Sequence, residues 1–182
     1  MKKKLLWKFL RTGLKSDSGD TKWCLNKWEH EDELDICEKG FHASTTPLQA
    51  LKYVGGEIVA QVEVKGTSII QDDKECWSDM RIVKAYHWTK KDSVALAIFA
   101  AELVIENYEK KYPNDTRPRD AIEAAKKVLA DDTEENRSAW SAAWSAWSEE
   151  SAASAASAAK MKLIASLDRW FLSRIKTLEE II

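Results

Sequence analysis

The chain has 182 residues and a formal net charge of −2. It is therefore long enough for one or two domains with a substantial core, and it has no overall charge that would attract bulk nucleic acid or an anionic membrane. The three cysteines form no Cys-x-x-Cys motif, which is typical of a reducing cytoplasm rather than of a disulfide-bonded secreted domain. No stretch approaches the roughly 18 consecutive apolar residues of a membrane-spanning helix, and Lys8 and Arg11 interrupt the apolar run that a signal peptide would need. We therefore expect a cytoplasmic protein.

The distribution of glycine divides the chain. Every glycine lies before residue 67, and from about residue 90 the sequence consists of helical patterns interrupted only by Pro113 and Pro118. Glycine is common in turns between short strands, and its absence favours long helices. The pattern predicts an α+β fold, with a β-rich domain at residues 1–90 and an all-helical domain at residues 91–182.

In the first domain we expect short strands around one helix. That helix is predicted at Pro47–Tyr53, with Thr45 or Thr46 as its N-cap. Apolar and polar residues alternate from Glu57 to Val64, as they do in a half-buried strand. The predicted strands are Leu5–Arg11, Lys22–Trp28, Gly40–Ser44, Glu57–Val64, Thr67–Ile70 and Arg81–Trp88, with polar loops at Glu29–Asp35 and Asp72–Asp79 and a turn at Gly66.

The second domain is expected to contain four helices. The first begins at Asp92 or Ser93, the second at Pro118 and the third at Asp132, and the last covers Met161–Ile182. The inward-facing residues expected on the first helix are Val94, Ile98, Ala101, Leu103, Ile105 and Tyr108.

Three tryptophans form a stripe on the third predicted helix. Trp140, Trp144 and Trp147 are spaced i, i+4, i+7 and therefore lie on one face. This spacing favours a seam packed into the core, and the alternative is an aromatic platform for a ring-bearing ligand or a partner helix. The small residues of the adjacent Ser151–Ala159 tract allow close helix packing, which predicts a homo-oligomer.

Two predicted helix starts carry groups suited to anions. His42 and the hydroxyl groups of residues 44–46 precede the first helix, and Arg117 and Arg119 flank Pro118. Helix N-termini attract anions, and arginine binds carboxylate or phosphate through two parallel hydrogen bonds. In the alternative interpretation, the hydroxyls cap the helix and His42 bonds to the backbone. The arginines then serve the fold alone by pairing with Asp115, Asp120 or Glu123.

The sequence contains no strong catalytic motif. The histidines and cysteines are not spaced as metal ligands, and no P-loop, GxSxG or GxGxxG motif is present. We therefore expect no metal or other cofactor, and binding is favoured over catalysis.

The first domain resembles a family of uncharacterised phage and bacterial domains. The shared pattern is Cys-x-x-Gly-Phe-His-Ala-Ser within Leu34–Ser44, followed by Pro47–Val54 and the strand Glu57–Val64. The family has no assigned activity, so this resemblance implies a fold without a function.

The second domain resembles the helical immunity protein family of bacteria and phages. The family shares the core Tyr-Pro-x-Asp-x-Arg-Pro-Arg-x-Ala-Ile-Glu-Ala, which this chain matches from Tyr112 to Ala124, after the helix Ala97–Tyr112 and before the Ala/Ser/Trp repeats. The resemblance implies neutralisation of a toxin or defence component, and no catalysis.

Three hypotheses follow. The leading one is a phage-type immunity or anti-defence protein that neutralises or sequesters a bacterial defence component, either a protein or a nucleotide-derived signal. A second hypothesis is an enzyme acting on a nucleotide or ADP-ribose unit, because the first domain also resembles ADP-ribosyltransferase-like folds; Glu75 is then the candidate glutamate. The third is a structural oligomer without a small ligand. The expected binding residues are Arg117, Arg119, Trp140, Trp144, Trp147 and His42.

Overall fold

A computed structural model describes residues 4–17, 21–36, 38–131, 133–134 and 157–181. It confirms the α+β fold, because an antiparallel sheet with one short helix precedes the long helices. The strands are β1 (Lys4–Leu10), β2 (Glu29–His30), β3 (Phe41–Ala43), β4 (Ile58–Ile70) and β5 (Glu75–His87). The helices are α1 (Pro47–Leu51), α2 (Lys90–Lys111), α3 (Arg117–Ala130) and α4 (Ser157–Ile175).

Contacts divide the chain into two compact units. The N-terminal unit comprises Met1–Thr89 and Phe171–Ile182, and the helical unit comprises Lys90–Trp170. The first boundary lies next to the predicted one, after residue 90. The predicted second domain, residues 91–182, differs at its C-terminal end, because the chain from Phe171 onward packs with the sheet. Amphipathic spacing shows that a helix face is buried, but not which element covers it.

The sheet of the N-terminal unit curls around one core. Its strand order is β1-β4-β5-β2, with β3 also paired to β5. Beyond β3, Trp7 and Ser44 exchange two backbone hydrogen bonds of 2.8 Å. The hydrogen-bonded path therefore runs from β1 through β4, β5 and β3 and back to β1. The buried core residues are Leu6, Leu10, Trp23, Ala43, Ile58, Ala60, Val62, Val64, Met80, Ile82 and Ala85.

β4 is a single strand of 13 residues, whereas two strands with a turn at Gly66 were predicted. The register with β5 shifts between Lys65 and Ser68, and Gly66 has a φ of +83°. A bulge bends a strand without ending it, and glycine adopts this φ without strain. The predicted loop at Asp72–Asp79 is shorter than expected, because β5 already begins at Glu75.

The segment before β3 also differs from the prediction. Lys22–Trp28 makes isolated bridges instead of a strand, and β2 lies inside the predicted loop Glu29–Asp35. The indole of Trp23 accounts for the difference, since the residue is 2% exposed and its ring meets Phe41 edge-on at 5.1 Å. Burial of this large side chain takes the segment into the core rather than along the sheet.

A second aromatic cluster holds the C-terminal segment to the sheet. Phe171 is fully buried, and its ring stacks on Trp88 with centroids 4.3 Å apart and meets Phe9 edge-on at 6.1 Å. Residues 176–181, which we call the tail, then pair antiparallel with the end of β5. The N–H of Ile181 donates to the carbonyl of Ala85 at 2.7 Å. The last residues thus complete the N-terminal unit.

In the helical unit, α2 and α3 bury a shared apolar seam. The residues of the seam are Ile98, Ile105, Ile122 and Ala125, with Val94, Ala101 and Leu129 packed against them. Leu103 was predicted to face inward on α2, and this prediction is wrong, because its side chain is 39% exposed.

No helix among the described residues is both long and apolar enough to cross a bilayer.

Candidate functional site

The connection between α2 and α3 is built around one carboxylate. Asp115 accepts hydrogen bonds from Arg117 Nε at 2.8 Å and Nη2 at 2.7 Å, and from the Tyr108 hydroxyl at 2.7 Å. The backbone N–H of Arg117 also donates to this carboxylate, at 3.1 Å. These hydrogen bonds, chiefly those from Arg117, hold the pKa of Asp115 well below its usual range. Asp115 is therefore a permanent anion that fixes Arg117 and Tyr108 in place.

The other arginine of the Arg-Pro-Arg motif is also paired. Arg119 Nε and Nη2 donate to the two carboxylate oxygens of Glu109 at 2.7 and 2.6 Å, which joins α3 to α2. The pair lowers the pKa of Glu109 and raises that of Arg119. Arg117 thus pairs with Asp115, one of the carboxylates named in the structural alternative, whereas Arg119 pairs with Glu109, which was not named. A phosphate at this helix start would compete with Asp115 or Glu109 for the guanidinium groups.

Exposed apolar side chains surround this connection. Val104, Tyr108 and Tyr112 follow one another at intervals of four residues, so they share one side of the chain. Val104 is 36% and Tyr112 45% exposed, and the rings of Tyr108 and Tyr112 lie 4.9 Å apart. We call Val104, Tyr108, Tyr112, Asp115 and Arg117 the corner surface. It combines two aromatic rings, an aliphatic side chain and a partly exposed guanidinium.

Sequence reasoning identified Arg117 but assigned Tyr108 to the buried side and gave Tyr112 no role. The interval of four residues from Val104 to Tyr112 was the available signal. It was missed because apolar residues occur on several sides of α2, so their spacing alone does not indicate which side is covered.

The predicted site residues Trp140, Trp144 and Trp147 lie outside the described residues, and so does most of the Ser/Ala tract.

The hydroxyl groups near His42 serve the helix that they precede. Thr46 Oγ1 accepts from the Gln49 N–H at 3.2 Å, and Gln49 Oε1 accepts from the Thr46 N–H at 3.2 Å, which completes a capping box. Thr45 Oγ1 donates to Gln49 Oε1 at 2.6 Å. Burial, followed by the positive charges of Lys8 and Lys74, lowers the pKa of His42. A neutral imidazole gives this helix start no charge with which to attract an anion.

Lys8 lies beside His42 and was not singled out from the sequence. Its Nζ donates to the carbonyl oxygen of His42 at 3.0 Å and lies 5.8 Å from the centroid of the Trp23 ring. Burial lowers the pKa of Lys8 to about 8, and electrostatic interactions with Cys76 and Asp17 oppose this shift. No local signal marked Lys8, because its side of β1 carries Lys4, Leu6, Lys8 and Leu10 and therefore mixes lysine with leucine.

Glu75, the candidate glutamate of the enzyme hypothesis, is 4% exposed. Lys4 Nζ donates to its Oε1 at 2.8 Å, and Trp77 Nε1 donates to its Oε2 at 2.8 Å. Both oxygens therefore have partners inside the N-terminal unit, and the arrangement is that of a structural ion pair. No group of three or more His, Cys, Asp or Glu side chains in the described part of the chain is arranged to hold a metal ion.

A pH-dependent contact fastens β2 and the residues after it to β5. His30 Nδ1 lies 3.1 Å from Asp79 Oδ1, and Nε2 lies 3.0 Å from Asp32 Oδ1. Carboxylates only accept hydrogen bonds, so both contacts form only when the imidazole carries two protons. The hydrogen bonds to Asp32 and Asp79 accordingly raise the pKa of His30.

We expect His30 to stabilise the fold at low pH more than at high pH. Because its pKa is raised on folding, the contribution is fully present below the unfolded value of about 6.5 and is lost as the pH rises through the folded value. The difference in unfolding free energy between the parent and a His30→Gln variant, measured in urea at several pH values, should therefore shrink with increasing pH. A difference that is constant or grows with pH would contradict this.

Residues 4–92 match the model of a family described as Domain of unknown function (DUF7666). The match covers 89 of the 182 residues and includes β1 to β5, and therefore Lys8 and His42. No protein of curated function and no solved structure matches the chain. The corner surface lies outside the matched range.

Proposed function

We propose that this protein acts in the cytoplasm by binding and neutralising a protein component of bacterial defence, and that the corner surface is its contact site. The observation that carries the proposal is the exposure of Val104 and Tyr112 on the side of the chain that carries Tyr108, whose hydroxyl donates to the same carboxylate as Arg117. Tyrosine and arginine are the residue types enriched at the energetic centres of protein interfaces. The resemblance of the segment Tyr112–Ala124 to immunity proteins supports the choice of partner.

The pairing of the arginines favours a protein over a nucleotide-derived signal as the ligand. A phosphate group would compete with Glu109 for the Arg119 guanidinium and with Asp115 for that of Arg117, and both carboxylates repel it. A protein partner can contact the exposed rings while both ion pairs stay intact. Self-association through the Ser/Ala tract stays a prediction, because that tract lies largely outside the described residues.

The proposal predicts a site-specific loss of affinity. Co-expression with a panel of bacterial toxins and defence proteins identifies the partner by restored growth, and the purified pair is then titrated by calorimetry. We expect Tyr112→Ala to weaken binding by about 2 kcal/mol, or roughly 30-fold in Kd, as at an interface hot spot. The matched control is Tyr53→Ala, because Tyr53 is 46% exposed but belongs to the N-terminal unit.

Two results would contradict the proposal. Unchanged affinity of Tyr112→Ala, or an equal loss in Tyr53→Ala, would exclude the corner surface as the contact site. Neutralisation without a measurable complex would exclude binding as the mechanism. A nucleotide-derived ligand has its own signature, since Arg119→Ala should then weaken ligand binding by about 1.5–3 kcal/mol with little change in Tm.

A further inference from the structure

The last residues of β4 form an edge of the sheet. β1 pairs with β4 as far as Val64, which lies opposite Lys4, the first described residue of β1. β4 continues to Ile70 and stays paired with β5 on its other side. Among the described residues, no strand pairs with this continuation on the side of β1. We call Ser68, Ile69 and Ile70 the β4 edge.

The hydrogen bonds of the β4–β5 hairpin show which backbone groups point outward. The N–H of Gln71 donates to the carbonyl of Lys74 at 2.9 Å, so the backbone of Gln71 faces β5. The direction alternates along an antiparallel strand, so the backbone groups of Ile69 face β5, whereas those of Ser68 and Ile70 face away from it. The β4 edge therefore presents the N–H and carbonyl groups of two residues to a further strand.

The side chains of the β4 edge are apolar and exposed. Ile70 is 61% and Ile69 37% exposed. Soluble proteins commonly protect their edge strands with lysine or proline, or by making the strand short. β4 has 13 residues, and the β4 edge contains neither lysine nor proline. An edge with these properties pairs readily with another strand.

The charges on either side of the β4 edge favour a second copy of the chain as that partner. Lys65 precedes the edge and Asp72 follows it, and both are exposed. Asp73 pairs with Lys52 of its own chain, so Asp72 is the carboxylate of the turn that faces a partner. In an antiparallel pair of two copies, Lys65 of each chain lies near Asp72 of the other. A parallel pair would instead bring like charges together.

We propose that two copies of this protein pair antiparallel through the β4 edge. A two-fold axis beside Ile69 places Ser68 of each chain opposite Ile70 of the other, and each of these opposed pairs exchanges two backbone hydrogen bonds. The two Ile69 side chains then meet across the axis. So short a contact is typical of a weak, transient dimer. This inference concerns the N-terminal unit and does not depend on the function proposed for the corner surface.

The parent protein provides the first test. Sedimentation equilibrium should detect a dimer between about 10 μM and about 1 mM, the range of a weak association. Hydrogen exchange is measured residue by residue by NMR on the same samples. The amides of Ser68 and Ile70 should exchange more slowly as the dimer forms, whereas the amide of Ile69, bonded to β5, should be protected to the same degree at every concentration.

A pair of matched variants provides the second test. Ile70→Lys should weaken the dimer at least about ten-fold, because lysine on an edge strand opposes pairing. Leu5→Lys is the control, since Leu5 is 47% exposed but lies on β1, where β4 is already paired. It should leave the dimer unchanged.

Two results would overturn the proposal. A chain that stays monomeric up to about 1 mM would exclude a second copy and leave the β4 edge to a strand from another protein. A dimer in which the amides of Ser68 and Ile70 exchange as fast as in the monomer would place the contact on another surface, such as the Ser/Ala tract.

Discussion

Replacement of Phe171 by alanine should cost the N-terminal unit about 3–5 kcal/mol of unfolding free energy, the range for loss of a buried aromatic ring. The side chain is fully buried, stacks on Trp88 and meets Phe9 edge-on. Its removal leaves a cavity between two rings that stay in place, and it weakens the attachment of the tail to β5. Urea unfolding followed by tryptophan fluorescence measures the loss.

The adjacent residue provides the control. Leu172 is 40% exposed, so Leu172→Ala alters the same helix while removing little buried surface, and it should change stability by less than about 1 kcal/mol. Equal losses in the two variants would show that the effect comes from the helix rather than from the aromatic cluster.

Gly56→Ala should destabilise the N-terminal unit by about 3 kcal/mol, at the upper end of the range for overpacking. A Cβ atom at Gly56 would lie 2.3 Å from the carbonyl oxygen of Leu10 and 2.8 Å from its carbonyl carbon. These are backbone atoms, so no rotation of a side chain relieves the contact, and the end of β1 has to move away from the start of β4.

Gly55 is the matched control for this substitution. A Cβ at Gly55 meets nothing within 4 Å, so Gly55→Ala should be close to neutral. Thermal melts of the two variants side by side should show a large fall in Tm for Gly56→Ala alone. If both variants have the same Tm as the parent, the backbone of Leu10 does not lie as close to Gly56 as these distances indicate.

The sequence predicted the elements whose signals are local. The cap and proline of α1 placed that helix correctly, and the alternation of Glu57–Val64 placed the first part of β4. The helix predicted to begin at Asp92 or Ser93 begins at Lys90. Each of these signals depends on the backbone within a few residues, so neither a partner strand nor a core is needed to interpret it.

The errors occur where a distant contact decides the structure. Gly66 was predicted to be a turn because glycine adopts positive φ easily, but β4 pairs with β5 on both sides of Gly66, which makes this glycine part of a bulge. Trp23 leaves the strand pattern because its indole is buried in a core made by other strands. A pattern in one segment carries no information about these partners. Leu103 is a different kind of error, because it lies half a turn from the stripe formed by Val94, Ile98, Ala101, Ile105 and Tyr108, and its exposure follows from the helical period itself.

The candidate sites follow the same rule. The Arg-Pro-Arg motif and Asp115 as one of its possible partners were visible from the sequence, but Glu109, which binds Arg119, was not assigned because it lies on another helix. Lys8 and His42 are 34 residues apart and meet only because the sheet curls until Ser44 pairs with Trp7.

The pairing of the tail with β5 determines when the sheet is finished during synthesis. Ile181 bonds to Ala85, and Phe171 fills the space between Phe9 and Trp88, so the N-terminal unit needs residues that are translated after the entire helical unit. A nascent chain that has produced only residues 1–90 exposes the rings of Phe9 and Trp88 and a free edge of β5, the features that make intermediates aggregate. Shortened versions of the protein that stop before Phe171 carry the same defect permanently.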